Sequence, residues 1–372
     1  MTDLFEAETA STTSLDMRRL QRRQRRATRR KWTLVASAVA LVVLALGSSV
    51  AYSFVKSLSP SESAVADYTG AGSGSIQVVV EAGDTGADIA QTLYDAGVIA
   101  STEAFIVAWN QNPDSSSISA GYYFMQREMQ ASLALDQLLN PDYRDVRTLT
   151  VIEGKTLDTY YQKIADLTEY SLDDVKAAAA DSAAIGLPAE ANGNLEGWLF
   201  PSTYTFNPGV TPTDVLSKMV STTVEVLDRN GVAPEDYERI LTVASLVERE
   251  AGTDEDRPMI AGVIYNRLAI DMPLQLDSTV HYFAPSDSVF TSDADRAIDN
   301  PYNTYLYTGL PPGPIAAPGE ASIQAAVNPT QHDYLYFVTV NLTTKETRYA
   351  VTYADHLKNV QLLQDWYAAN GG

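Results

Sequence analysis

The stretch Ala244-Ser-Leu-Val-Glu-Arg-Glu250 sets a carboxylate, Glu248, into a run of residues otherwise patterned for burial. An acid in an apolar site keeps its proton near neutral pH and can protonate a leaving group. Tyr237, Ile240, Leu241, Ala244, Val247, Glu248 and Ala251 recur at i, i+3, i+4, i+7 spacing, the pattern of one helical face. Glu238, Thr242, Ser245 and Arg249 gather on the opposite side. Val243 and Leu246 widen the apolar arc, so Glu250 also lies between hydrophobic neighbours. The competing reading of Glu248 is a helix-edge carboxylate paired with an arginine such as Arg249 or Arg267.

Other groups could serve such an acid. Leu195-Glu-Gly-Trp-Leu-Phe-Pro201 offers Glu196 as a second carboxylate and Trp198 as an aromatic platform for a sugar ring, with core packing as the alternative for the indole. Gln275-Leu-Asp-Ser-Thr279 and Asn303-Thr-Tyr305 are polar clusters beside turns; Gln275, Asp277, Asn303 and Tyr305 are equipped to hydrogen-bond hydroxyl and acetamido groups. Gly309 to Gly319 holds four prolines in eleven residues, a stiff segment suited to a groove wall or to a plain rigid connection.

Several chemistries are excluded. The three histidines, His281, His332 and His356, have no H-x-x-x-H spacing, and no cysteine is present. A zinc hydrolase, a thiol nucleophile and a disulfide framework therefore find no support. No G-x-S-x-G elbow, P-loop or dinucleotide fingerprint occurs. Neither metal nor cofactor is expected.

The elements that must position these residues read as α+β. A strand at Gln77–Glu81, helices at Ile89–Ala96 and Thr102–Trp109, a strand at Gly121–Met125 and a helix at Leu133–Leu139 make one small unit. A larger body opens with a strand at Arg147–Ile152 and a helix from Thr156. It continues through helices at 172–180, 212–229, 234–251 and 256–270, and ends in a hairpin, Tyr334–Val340 and Thr347–Val351, before a last helix from Tyr353. The two bodies open alike: Val80-Glu-Ala-Gly-Asp-Thr85 and Val151-Ile-Glu-Gly-Lys-Thr156 each give strand, glycine turn and helix start.

The N-terminus reads as a membrane anchor. Residues 33–55 are uncharged and mostly apolar, about the length that spans a bilayer, and a block of Arg and Lys from Arg18 to Lys31 precedes them. The positive-inside rule keeps residues 1–32 in the cytoplasm and exports the rest. The apolar run is long for a signal peptide and lacks a small-x-small exit, so a retained single-pass anchor in the cell membrane is expected. Residues 56–75, rich in Ser, Gly and Ala, read as a flexible linker. The chain carries a net charge of −21, and because the tail is basic the exported part is more acidic still. Nucleic acid is therefore not an expected partner.

Six motifs occur together and in order: Leu195-Glu-Gly-Trp198, Ala244-Ser-Leu-Val-Glu-Arg-Glu250, Val263-Ile-Tyr-Asn-Arg-Leu268, Leu274-Gln-Leu-Asp-Ser-Thr279, Tyr302-Asn-Thr-Tyr305 and Gly309-Leu-Pro-Pro-Gly313. In this the chain resembles the endolytic murein transglycosylase family (YceG-like). The resemblance implies a LysM-like module at 76–141 and a catalytic domain at 142–372. It implies cleavage of the β-1,4 bond between N-acetylmuramic acid and N-acetylglucosamine in nascent glycan strands, closing a 1,6-anhydro end. Peptidoglycan strands would be the substrate and peptidoglycan synthases neighbouring partners. The family's catalytic glutamate maps to the first Glu of its motif, Glu248. One departure is Glu346-Thr-Arg-Tyr349, where family members often carry a Gly-His pair; His356 fits the family's histidine in the final helix. Two alternatives stay open: a hydrolytic muramidase using Glu248 with Asp277 or Glu196, and a non-enzymatic glycan-binding scaffold.

Overall fold

The computed structural model describes residues 42–44, 46–51, 65–286 and 291–370. Residues 42–44 and 46–51 are helical and exposed. Among the described residues no helix is long and apolar enough to cross a membrane. Most of the expected span at 33–55, and all of the basic tail, lies outside the described residues. The last part of the expected linker is bonded down: Ala66 O accepts from Ser101 Oγ at 2.7 Å, Asp67 Oδ1 from the Ala131 N–H at 2.9 Å and Gly70 O from the Gln130 N–H at 2.9 Å.

The fold is mixed α+β, with short sheets and mostly helical connections. In the first body β1 (Ser73–Val80) pairs antiparallel with β2 (Gly121–Arg127), whose other edge takes β3 (Arg144–Asp145). Between β1 and β2 run α1 (Gly86–Asp95) and α2 (Thr102–Gln111), and α3 (Ala131–Leu139) follows β2. Thr85 caps α1 reciprocally with Asp88, satisfying helix-end donors that would otherwise be orphaned. Gly86 is needed for space: a Cβ there would come within 2.7 Å of the Trp109 ring. Alternation on β1 turns Val78 and Val80 inward onto Ile89, Leu93, Phe105, Tyr123 and Leu135, a core separate from that of the second body.

The second body begins with β4 (Arg147–Thr150), paired antiparallel with β5 (Thr203–Phe206). Helices α4 (Leu157–Thr168) and α5 (Leu172–Ala180) lie between these strands in sequence; α6 (Pro212–Arg229), α7 (Tyr237–Glu250), α8 (Asp256–Ala269), α9 (Asp277–Phe283), α10 (Asp293–Arg296) and α11 (Glu320–Val327) follow. The hairpin β6 (Tyr336–Asn341) and β7 (Glu346–Ala350) then leads into α12 (Tyr353–Asn370). The anticipated echo is present. Gly83 and Gly154 both take left-handed backbone, and Thr85 and Thr156 both stand at helix N-caps.

Helix α7 is central. Its residues from Ile240 to Val247 are all buried, packed against α11 and α8. The helix starts at Tyr237, because Pro234 falls in a separate 3-10 turn, Pro234–Asp236. The proline-rich segment packs on α7 more than it walls the main groove. Ile315, Ala316 and Ala317 are buried, and the Ile315 N–H donates to Ser245 Oγ at 3.0 Å. Reciprocal bonds between Gly154 N–H and Ala317 O (2.8 Å) and between Ala317 N–H and Lys155 O (3.0 Å) fasten it to the β4–α4 turn.

Candidate active site

The C-terminal end of α7 opens onto a groove of about 510 Å³ lined by Glu250, Arg267, Gln275, Asp277, Arg296, Tyr305, Tyr336 and His356, among others. Three of the residues singled out from sequence, Gln275, Asp277 and Tyr305, thus share one groove. Local geometry explains why. Gln275 sits at φ +47°, a left-handed kink that sends its N–H to Thr304 O at 3.0 Å. The following Leu276 N–H donates to Thr304 Oγ1 at 3.0 Å, and the Thr279 and Thr304 hydroxyls meet at 2.9 Å. The 274–279 and 302–305 motifs are two halves of one bonded unit.

Asp277 is held from three sides. The Thr291 and Tyr305 hydroxyls each donate to its Oδ1 at 2.6 Å, and Arg296 Nε stands 3.5 Å away. Arg296 also donates to Thr291 Oγ1 at 2.8 Å and lies over the Tyr305 ring, 5.0 Å from its centroid. Burial, with the bond to the Asp277 carboxylate, raises the Tyr305 phenol far above its usual range. Arg267, also in the groove lining, donates to Leu335 O at 2.6 Å, and its guanidinium lies 5.3 Å from the Tyr336 ring centroid. His356 stacks on the Tyr336 ring at 5.2 Å and is pushed below the usual histidine range by burial and by the charge of Arg267.

Glu250 is a second carboxyl in the groove lining, beside Asp277. Burial raises its carboxyl above the ordinary carboxylate range and the charge of Asp277 adds to that; Ser278 and Arg249 pull the other way. The Ser278 hydroxyl and N–H favour the charged form by hydrogen bonding to the Glu250 carboxyl.

Glu248 lies elsewhere. Its Oε1 is 3.2 Å from Arg257 Nη2, and its Oε2 accepts from the Gly319 N–H at 3.1 Å and Ser322 Oγ at 2.7 Å. Its side chain is only 5% exposed and is not among the groove-lining residues. The expected greasy pocket is thus an ion-paired junction, where the last turn of α7 meets the first turns of α8 and α11. The arginine-paired alternative describes Glu248, with Arg257 in the place of Arg249 or Arg267.

Two further expectations meet burial. Trp198 is fully buried, edge-on to Tyr237 at 6.2 Å, and its indole N–H donates to Glu238 Oε2 at 2.9 Å. No sugar ring can stack on it; core packing is its role. Asn303 is equally buried. Its amide donates to Arg296 O and Ile298 O at 2.9 and 2.8 Å, and its Oδ1 accepts the Tyr305 N–H at 3.0 Å. Asn303 positions Tyr305 and Arg296 without reaching the groove.

Glu196 is 3% exposed and its Oε2 accepts the Leu157 N–H at 3.2 Å, capping α4 where Thr156 makes no side-chain cap. In the terminal hairpin, Thr347 and Tyr349 donate to the Asp256 carboxylate at 3.1 and 2.6 Å, so the departing Glu346-Thr-Arg-Tyr349 stretch anchors α8. Among the described residues no group of three or more acidic or histidine side chains could hold a metal ion.

A family model described as the YceG-like family matches residues 78–362. An endolytic murein transglycosylase of Bacillus subtilis is 35% identical over 285 residues, covering 71% of this chain and 78% of that protein. An endolytic murein transglycosylase of Streptococcus pneumoniae is 31% identical over 367 residues, 88% of this chain and 64% of its own length. A crystal structure of a yceG-like protein from Listeria monocytogenes superposes with a TM-score of 0.50 at 30% identity, covering 76% of this chain and 98% of that one.

Proposed function

The chain belongs to the YceG-like family, and from that premise we propose that it is an endolytic murein transglycosylase whose proton-transfer group is Glu250. It cuts the β-1,4 bond between N-acetylmuramic acid and N-acetylglucosamine inside a glycan strand and closes a 1,6-anhydro end. The carrying observation is Glu250 at the groove wall, a carboxyl whose pKa burial and a neighbouring negative charge raise.

The chemistry follows from that group. Glu250 gives its proton to the glycosidic oxygen as the C1–O bond breaks. The resulting carboxylate takes the proton of the muramic C6 hydroxyl as that oxygen bonds to C1, so no water is consumed and the acid is restored. Asp277, held by Thr291, Tyr305 and Arg296, lines the same groove and faces the developing positive charge at C1. Gln275 and Tyr305 position the sugars. Glu248 serves from behind by fixing the end of α7.

The pairing of Glu250 with Asp277 also supports a second reading, a two-carboxylate hydrolase. Mass spectrometry of digested glycan strands separates the two: anhydro ends mark internal attack by the C6 hydroxyl, and reducing ends mark attack by water. Glu250→Gln should abolish new ends of either kind; undiminished cleavage would refute Glu250, and no cleavage by the wild type would leave only a binding scaffold.

The uncharged run at 33–55 behind a basic block supports a single-pass anchor in the cell membrane, with residues 1–32 cytoplasmic and the body exported. Two helices between antiparallel β1 and β2 support a LysM-like module at 76–141 ahead of a catalytic domain at 142–372. A nascent-strand substrate makes peptidoglycan synthases the fitting neighbours.

A further inference from the structure

Arg267 lies in the last turn of α8 and is only 6% exposed. A guanidinium does not give up its proton inside a protein, so Arg267 is a buried cation. It donates to main-chain carbonyls, from Nε to Leu335 O at 2.6 Å and from Nη1 to Leu274 O, and it stands over the Tyr336 ring. The two carbonyls belong to different parts of the groove lining. Leu274 leads into Gln275, Leu276 and Asp277, and Leu335 into Tyr336, Phe337 and Val338 of β6. The cation is thus fixed where these parts meet, by acceptors that carry no charge.

None of the ion pairs among the described residues includes Arg267. Arg257, also mostly buried, pairs with both Glu248 and Asp254. A buried cation without a counter-charge is costly. The helix C-terminus and the Tyr336 ring offset part of that cost. The groups whose negative charge would offset more of it are Tyr336, Glu250 and Tyr305, all in the groove lining. Phenols ordinarily ionise near pH 10, about three units above neutrality, which leaves Glu250 as the group able to supply that charge.

We propose that Arg267 is a positioning residue that acts through Glu250: its cation has no partner while Glu250 is neutral, and gains one when Glu250 has given its proton to the leaving oxygen. An interaction that arises only as charge moves favours the step itself over the resting enzyme. The carboxylate so supported then takes the C6 hydroxyl proton, and the pairing ends. Asp277 works in the opposite sense, since its charge favours the proton-bearing form of Glu250. Arg249 also favours the carboxylate, but it is exposed and donates to Gly154 O at 3.1 Å, so water and salt screen it. The remaining groups that face the pair are Ser278, bonded to the Glu250 carboxyl, Arg296, paired with Asp277, and His356, whose pKa Arg267 lowers.

This inference rests on Glu250 as the acid of the transglycosylase, and its test separates the two. Anhydro-end formation is followed against pH in the whole chain, in Arg267→Met, which removes the charge, and in Arg267→Lys, which keeps it. Arg267→Met should lower kcat about tenfold and move the alkaline limb of the rate up by about one pH unit, with KM little changed. Arg267→Lys should bring the limb back. Lost packing alone would slow the reaction without moving the limb, so a folded Arg267→Met with its limb at the wild-type pH overturns the proposal. Should Arg267→Met be unfolded at assay temperature, Arg249→Gln and added salt decide. A limb that either of them moves by about a full unit assigns the charge to Arg249 and overturns the proposal, and a limb that both leave in place returns it to the buried cation. Carboxyl NMR on isotope-labelled glutamate, with Glu250→Gln identifying the resonance, reads the same shift without turnover. A raised midpoint in Arg267→Met beside a wild type that forms no anhydro ends would remove the proposed function and keep the pairing. Anhydro ends with an unmoved midpoint would do the reverse.

Discussion

Glu248 and Glu250 stand two residues apart on α7, yet their carboxyl groups meet opposite surroundings. Arg257, Ser322 and the Gly319 N–H bond the two oxygens of Glu248 at 2.7 to 3.2 Å. Glu250 turns to a groove, next to another carboxylate, with burial raising its pKa. One is equipped to hold three elements together, the other to give up a proton.

The two glutamines therefore differ in what they break. Glu250→Gln removes the transferable proton and should lower the rate of anhydro-end formation by about 10²- to 10⁴-fold with little change in melting temperature. Glu248→Gln leaves the mostly buried Arg257 with only the exposed Asp254 as its charge partner and should cost about 3 kcal/mol of stability, read in a thermal melt. If Glu248→Gln melts like the wild type but is inactive, while Glu250→Gln retains activity, the roles are reversed.

Tyr305→Phe deletes one of the donors on Asp277 and leaves the ring under Arg296. The loss should weaken the hold on the Asp277 charge and reduce kcat/KM about tenfold, roughly 1.4 kcal/mol. Steady-state kinetics on long strands checks it, and a variant indistinguishable from the wild type would detach Asp277 from the reaction.

Helical spacing sufficed to place α7 within three residues of its true start, and it drew attention to the turn whose end opens onto the groove. It could not choose between Glu248 and Glu250. Every residue from Ile240 to Val247 is buried, so the apolar arc has no clear edge from which to measure. The choice is made by Arg257, Ser322, Asp277 and Ser278, which reach α7 from separate elements. Trp198 and Asn303 failed for the same reason: a tryptophan between glycine-rich loops reads alike as platform or core, and only Glu238, forty residues away, fixes the indole inside. That Gln275, Asp277 and Tyr305 reach one groove was legible, because a polar cluster beside a turn is rarely buried whole. The signal that could have singled out Glu250 was weak but present, in its own hydrophobic flanks.

Trp198→Phe tests that burial directly. It removes the indole N–H from the partly buried Glu238 and leaves a void in the core, so the melt should shift by about 2–4 kcal/mol of lost stability. KM for glycan strands should stay at the wild-type value in the folded fraction. A large rise in KM with no loss of stability would restore the indole as a sugar platform.

Stability should fall as pH rises from about 4.5 to about 7. Burial pushes Glu196 and Glu238 up to about 7 and raises Glu250, against an ordinary value of 4.5. Within that window the folded chain keeps protons that the unfolded chain has released, so raising the pH favours unfolding. Carboxylates lowered by their partners, such as Glu320 beside Arg229, reach their full effect about one pH unit above 4.5 and do not oppose the trend beyond that. His356, lowered by burial and by Arg267, does oppose it, gaining stability as pH climbs toward 6.5, but it is one group against three. Thermal melts at about pH 5 and about pH 7.5 should show the higher melting temperature at the lower pH, and Glu238→Gln should shrink the difference. The rate should also decline with rising pH as Glu250 loses its proton. A melting temperature that climbs steadily across this range would mean that these glutamates are not kept protonated by burial, and Glu250 would then lack the property that qualifies it as the acid.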